Sequence, residues 1–219
     1  AVHQGYSNIF VTAPSPENLV TLFEFCVLGL KAMGYTERVD FEAMQSTNPE
    51  FAKCIVRIDI LKGHRQTIQY IAPQDSAKFA QAELLVIDEA AALPLPLVQK
   101  MLGPYLVFIS STVSGYEGTG RSLSMKLIAD MRKQTKSGTN NRALRELELT
   151  GPIRYGPEDP VEKWLNALLV MEASDAKPKQ TPIPSDCELY YINRDALFSY
   201  HPTAEKALHE VVSLFVAAH

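Results

Sequence analysis

The sequence predicts an α/β domain whose largely parallel sheet is covered on both faces. Strand-like segments alternate with helical ones from Asn8 onward, the order expected of such a sheet. Two of the strand-like segments, Leu84–Ile87 (LLVI) and Tyr105–Ser110 (YLVFIS), carry almost no polar residues, as strands do when both faces are buried. With 219 residues, 46% of them hydrophobic, the chain can build a substantial core.

The elements follow in order. NIFVT, Asn8 to Thr12, reads as a buried strand, and LVTLFEFCVLGLKAMG as a helix, with Ser15 as N-cap, Pro16 at its first position and Gly34 as its stop. Two strands are expected at 55–60 and 65–71, separated by LKGH with its turn glycine. A short helix is expected over 75–82, a strand over 83–88, a helix over 94–102 and a strand over 105–110. In SLSMKLIADMRKQ, Leu123, Leu127, Ile128 and Met131 form one helical apolar stripe. RELEL, Arg145 to Leu149, reads as a short strand, and PVEKWLNALLVM from Pro160 as an amphipathic helix with Trp164 turned inward. The segment 173–186 holds three prolines and no large apolar run, which marks a linker. Beyond it CELYYINRDAL and a helix over about 203–218 read as the opening of a new unit. We therefore expect domains at 1–172 and 187–219.

Composition narrows the function classes. The net charge of −4 is silent on nucleic acid, since a local basic surface can sit within a mildly acidic total. Three widely spaced cysteines and five histidines fit neither a disulfide framework nor a zinc site, and suit reduced thiols in an intracellular compartment. No apolar run approaches the roughly 20 residues that span a bilayer, and the first residues lack a signal-peptide pattern, so no membrane association is expected.

Chemistry concentrates in LLVIDEAAALP. Ligands of open α/β sheets bind beyond the carboxyl ends of the strands, which is where Asp88 and Glu89 stand. Four hydrophobic residues followed by Asp-Glu is the Walker B arrangement of nucleoside triphosphatases: the Asp holds Mg²⁺, which takes hard oxygen ligands and keeps several waters, and the next acid orients the attacking water. Two acids can also simply end a strand near solvent, so context decides. FISST ends another buried strand with Ser110, Ser111 and Thr112, where helicase-type ATPases place hydroxyls that sense the γ-phosphate; the plainer alternative is a strand end with hydroxyl-capped turns. The loop GYEGTGR, Gly115 to Arg121, offers backbone N–H groups and a guanidinium before a helix, suited to an anion, although it lacks the G-K-[ST] of a P-loop. TAPS, Thr12 to Ser15, is in helicases a turn that touches the phosphodiester backbone, and is otherwise an ordinary helix cap.

Taken together, GYSNIFVTAPSPENL, HRQTIQYI, AELLVIDEAAALPLPLV, LGPYLVFISSTVSGYEGTGRSLSMKLI, PIRYGPEDPVEKWLN and CELYYINRDALFSYH resemble the RNA cytidine acetyltransferase family. These segments span nearly the whole chain. The similarity is strongest to its eukaryotic members, which act in small-subunit ribosome assembly. The resemblance implies a RecA-like P-loop ATPase fold, a three-layer sandwich, joined to a GNAT-like acetyltransferase domain. It implies formation of N4-acetylcytidine in 18S rRNA and tRNA with ATP, Mg²⁺ and acetyl-CoA. Nucleolar residence within the nucleus, pre-ribosomal small-subunit assembly proteins as partners and a homodimer are further expectations. Carried over by position, Asp88 coordinates Mg²⁺ and Glu89 orients the hydrolytic water, while Ser111 and Thr112 transmit the nucleotide state. Arg154 and Arg121 are expected at the ATP phosphates, and Thr12 and Ser15 at RNA. The family's Walker A lies upstream of GYSNIF and its acetyl-transfer residues downstream of CELYYINRDALF, so the segment by itself is expected to be inactive. Three other readings compete: a structural RNA- and protein-binding module with incidental ATPase, an unrelated P-loop translocase, and a dinucleotide-binding oxidoreductase.

Overall fold

The computed structural model describes residues 1–51, 53–112, 128, 131–132, 143–151, 153, 155–169 and 182–218. The chain divides into two compact units, one including Ala1–Val113 and the other including Ala143–His219.

The first unit is a six-stranded mixed sheet in the order β2-β3-β4-β1-β5-β6. Its strands are β1 (Asn8–Thr12), β2 (Phe41–Gln45), β3 (Ile55–Ile60), β4 (Gln66–Tyr70), β5 (Leu84–Ile87) and β6 (Leu106–Ile109). Strand β1 runs parallel to β4 and to β5, and β5 parallel to β6. The β3–β4 hairpin and the β2–β3 pair are antiparallel. The expected parallel sheet therefore holds for the four strands from β4 to β6, with an antiparallel flank. Strand β2 went unread because FEAMQ buries only Phe41. As an edge strand it needs no second apolar face, and its pairing carries an irregularity at Met44/Gln45.

Side chains alternate across β1 and β5, so each strand feeds two cores. Ile9, Val11 and Leu84 join Leu19, Phe23 and Leu30 on one face. Phe10, Leu85 and Ile87 join Phe79, Val98 and Met101 on the other. Helix α1 (Val20–Ala32) supplies the first cover, and the 3-10 turn Ser76–Gln81 with helix α2 (Leu95–Met101) the second. This is the three-layer α/β arrangement that two-sided apolar strands require.

The local punctuation of α1 follows its sequence. Ser15 caps a 3-10 turn, Pro16–Leu19, that leads directly into the helix, its Oγ accepting from the Glu17 N–H at 3.3 Å. At the other end Tyr35 N–H bonds Leu30 O and Gly34 N–H bonds Lys31 O, each at 3.0 Å, with Gly34 at φ 78°. These paired bonds are a Schellman stop, which needs the left-handed residue that glycine supplies.

In the second unit, α3 (Pro160–Leu168) is capped by Asp159, whose Oδ1 accepts from Val161 N–H at 2.8 Å, and α4 (Arg194–Leu197) by Asn193. Helix α5 spans Pro202–Ala218. Two expectations fail here. Arg145–Leu149 forms no strand, and Leu149 is 94% exposed. Trp164 is 60% exposed rather than inward, together with Val161 and Leu168 on the same stripe of α3. Periodicity sets which residues share a face, not what that face meets. Most of the expected helix over 122–134 and of the linker 173–186 lies outside the described residues.

Candidate functional site

The site forms where β5 ends. Asp88 extends the ladder by one bond, its N–H reaching the Thr12 carbonyl at 2.8 Å. Glu89 then adopts the left-handed conformation, φ 48° and ψ 42°, and turns the chain out of the sheet into the 3-10 turn Ala90–Ala92. The end of β6 clamps this corner: Ser110 N–H donates to Ile87 O at 2.8 Å, and Ala90 N–H to Ser110 O at 3.0 Å. Ala90 and Ala91 are buried and Leu93 anchors the exit, so the small residues after the acids are required by packing.

The two carboxylates differ. Asp88 is half-buried and has no side-chain partner among the described residues. Glu89 is exposed, and its Oε2 accepts from the Asn18 amide Nδ2 at 2.7 Å. A carboxylate without a protein partner at a strand's carboxyl end fits Mg²⁺, which needs only one or two protein oxygens beside waters and phosphates. Among the described residues no group of three or more His, Cys, Asp or Glu converges on a metal position.

The other expected residues fall unevenly around this pair. Ser110 joins it through the backbone; Ser111 and Thr112 follow, both exposed, with Ser111 Oγ donating to Thr112 O at 3.3 Å. Ser15 is half-buried, its oxygen engaged in the cap. Thr12 is 0% exposed and its Oγ1 has no hydrogen-bond partner among the described residues. Its hydroxyl is thus enclosed by the fold around it. Arg121 and Arg154 lie outside the described residues. Asn18 was missed: it sits in PEN after the cap, and nothing local marks an amide whose partner is 71 positions away.

A separate polar hollow of about 320 Å³, lined by Ser7, Asn8, Arg57, Arg65, Thr67 and Gln69, opens by the start of β1, away from the acids. Two of these lining groups are already engaged by Asp59, Arg57 at 2.8 Å and Thr67 Oγ1 at 3.0 Å. The acidic pair is therefore the stronger candidate for chemistry.

Sheet and covering helices define a three-layer α/β domain with an acidic pair at a strand's carboxyl end. Within that class the chain belongs to the RNA cytidine acetyltransferase family: the description "RNA cytidine acetyltransferase NAT10/TcmA, helicase domain" matches residues 1–172. Curated relatives carrying the name RNA cytidine acetyltransferase align along 100% of this chain. One from Dictyostelium discoideum is 57% identical, and those from Saccharomyces cerevisiae and Homo sapiens are each 52% identical. The chain spans only 22–23% of the length of these relatives. Among solved structures, the large terminase of a thermophilic bacteriophage aligns with 61% of this chain and 32% of its own, at TM-score 0.42 and 11% identity. Agreement that low carries no inference. Among the described residues no helix is long and apolar enough to cross a membrane.

Proposed function

We propose that this chain is the ATP-hydrolysing part of an RNA cytidine acetyltransferase that forms N4-acetylcytidine in 18S rRNA and tRNA, with acetyl-CoA as donor. The observation that carries this reading is the Asp88–Glu89 corner, clamped to the end of β6 at Ser110. Asp88 is the residue that would hold Mg²⁺, which when bound supplies positive charge against the phosphate oxygens. Glu89 accepts a hydrogen bond from water and orients it for attack on the γ-phosphate. Ser111 and Thr112, next along from Ser110, are placed to register the presence of that phosphate, and Ser15 offers a hydroxyl to RNA. Arg121 and Arg154 remain the proposed phosphate-binding cations. Residues 173–186 act as the linker and 187–219 open the acetyltransferase domain, in a protein that works in the nucleolus on small-subunit precursors.

The test is made on the full-length protein. Asp88→Asn and Glu89→Gln should each lower ATP hydrolysis by a factor on the order of 10² or more, with acetylcytidine formation falling alongside. Hydrolysis at the unsubstituted rate in both variants would sink the assignment. A second reading, a structural RNA- and protein-binding module, draws on exposed apolar side chains such as Leu189 and Tyr191. Ribosome assembly that survives both substitutions would favour it.

A further inference from the structure

The Glu89 carboxylate is held by a residue with no place in the chemistry so far. In the sheet, β5 lies between β1 and β6, so Glu89 has two flanks. On the β6 flank stand Ser110, Ser111 and Thr112. On the β1 flank stands Asn18, in the 3-10 turn Pro16–Leu19 that Ser15 caps. The carboxylate is bonded toward the β1 flank, with Nδ2 of Asn18 at 2.7 Å from its Oε2. Its backbone sits in the left-handed region that non-glycine residues seldom occupy, a conformation that persists only where neighbours hold it and that recurs at switch points.

A carboxylate oxygen that already accepts a short amide bond has one acceptor site fewer for water and is held away from the β6 flank. The donor's position adds a route of control. Asn18 lies three residues beyond Ser15 and four beyond the exposed Pro14, on the turn proposed above to meet RNA. A ligand that moves this turn moves the amide.

We propose that Asn18 is a positioning residue that restrains Glu89, holding its carboxylate on the β1 flank until RNA engages the Pro14–Asn18 turn. ATP hydrolysis is thereby slow without RNA and released by it. The proposal rests on the reading of Glu89 as the water-orienting acid, and the two can fail separately.

The experiment measures steady-state ATP hydrolysis by the full-length protein with and without unfractionated tRNA. Asn18→Ala removes the donor. Asn18→Asp, nearly isosteric, removes it and sets a like charge against Glu89. Both should raise the RNA-free kcat roughly three- to tenfold, the range of one ordinary solvent-exposed hydrogen bond, while leaving KM for ATP and the RNA-stimulated rate unchanged. The stimulation ratio should collapse accordingly. An RNA-free rate that stays level or falls in both variants overturns the restraint, as does an unsubstituted protein that RNA fails to stimulate. Glu89→Gln run alongside separates the two ideas. Its loss of hydrolysis with unaltered Asn18 variants removes only the restraint, whereas its full activity removes the role of Glu89 itself.

Discussion

Asp88 and Thr12 are joined through the backbone: the Asp88 N–H meets the Thr12 carbonyl at 2.8 Å, while the Thr12 hydroxyl is buried with no partner among the described residues. The residue that fixes the acid's position thus carries a polar atom the fold does not use. Burying an unpaired hydroxyl costs about 1–3 kcal/mol, and an isosteric methyl avoids that cost. Thr12→Val should leave the melting temperature unchanged or raise it, and should leave RNA affinity unaltered. A marked loss of RNA binding at retained stability would place Thr12 at the RNA surface.

Glu89 stands at φ 48°, where a non-glycine residue is strained by roughly 1–2 kcal/mol. Glu89→Gly should therefore raise thermal stability by about 1 kcal/mol while ATP hydrolysis is lost. Differential scanning fluorimetry and a phosphate-release assay on the same preparation check both halves. A destabilised variant would show that the corner is not under strain.

The stop of α1 runs the other way. Gly34 has φ 78° with open space around its missing Cβ, so Gly34→Ala should destabilise through backbone conformation alone, by about 1 kcal/mol. Urea denaturation followed by far-UV circular dichroism would detect the shift in midpoint.

The thiols should separate by burial. Cys54 is buried and Cys26 half-buried, with desolvation raising the Cys26 pKa, whereas Cys187 is exposed. Iodoacetamide should modify Cys187 first. Cys26 should react only as the pH climbs above the ordinary thiol range, because the thiolate is the nucleophile. Peptide mapping across a pH series reads the order directly.

The legibility of the fold varied with the physics of each segment. Strands β1 and β5 were readable because two-sided burial leaves an apolar run, β6 by its apolar run although Leu106 and Phe108 are exposed, and α1 because Ser15, Pro16 and Gly34 punctuate it. Strand β2 was not, because an edge strand can rest on one anchored side chain, Phe41. Arg145–Leu149 alternates like a strand and is none, since alternation proposes a face and only a partner strand makes a ladder. The acidic pair was legible as a local pattern, and Asp88 and Glu89 stand at the expected strand end. Asn18 was not, because its contact with Glu89 exists only once β1 and β5 are side by side. Burial was not legible at Thr12, where the TAPS turn encloses its first hydroxyl.

The two borders of the sheet are unequally defended. Along β2 a carboxylate at Glu42 and the irregularity at Met44/Gln45 discourage an incoming strand. Among the described residues the opposite border is β6, whose LVFI has neither charge nor proline and leaves Leu106 47% and Phe108 55% exposed. Such a border is a template for intermolecular β-pairing, so colloidal behaviour should be governed from one side. A preparation of this segment should clump through β6, and a lysine gatekeeper at Phe108 should keep it dispersed where the same change at Met44 does little.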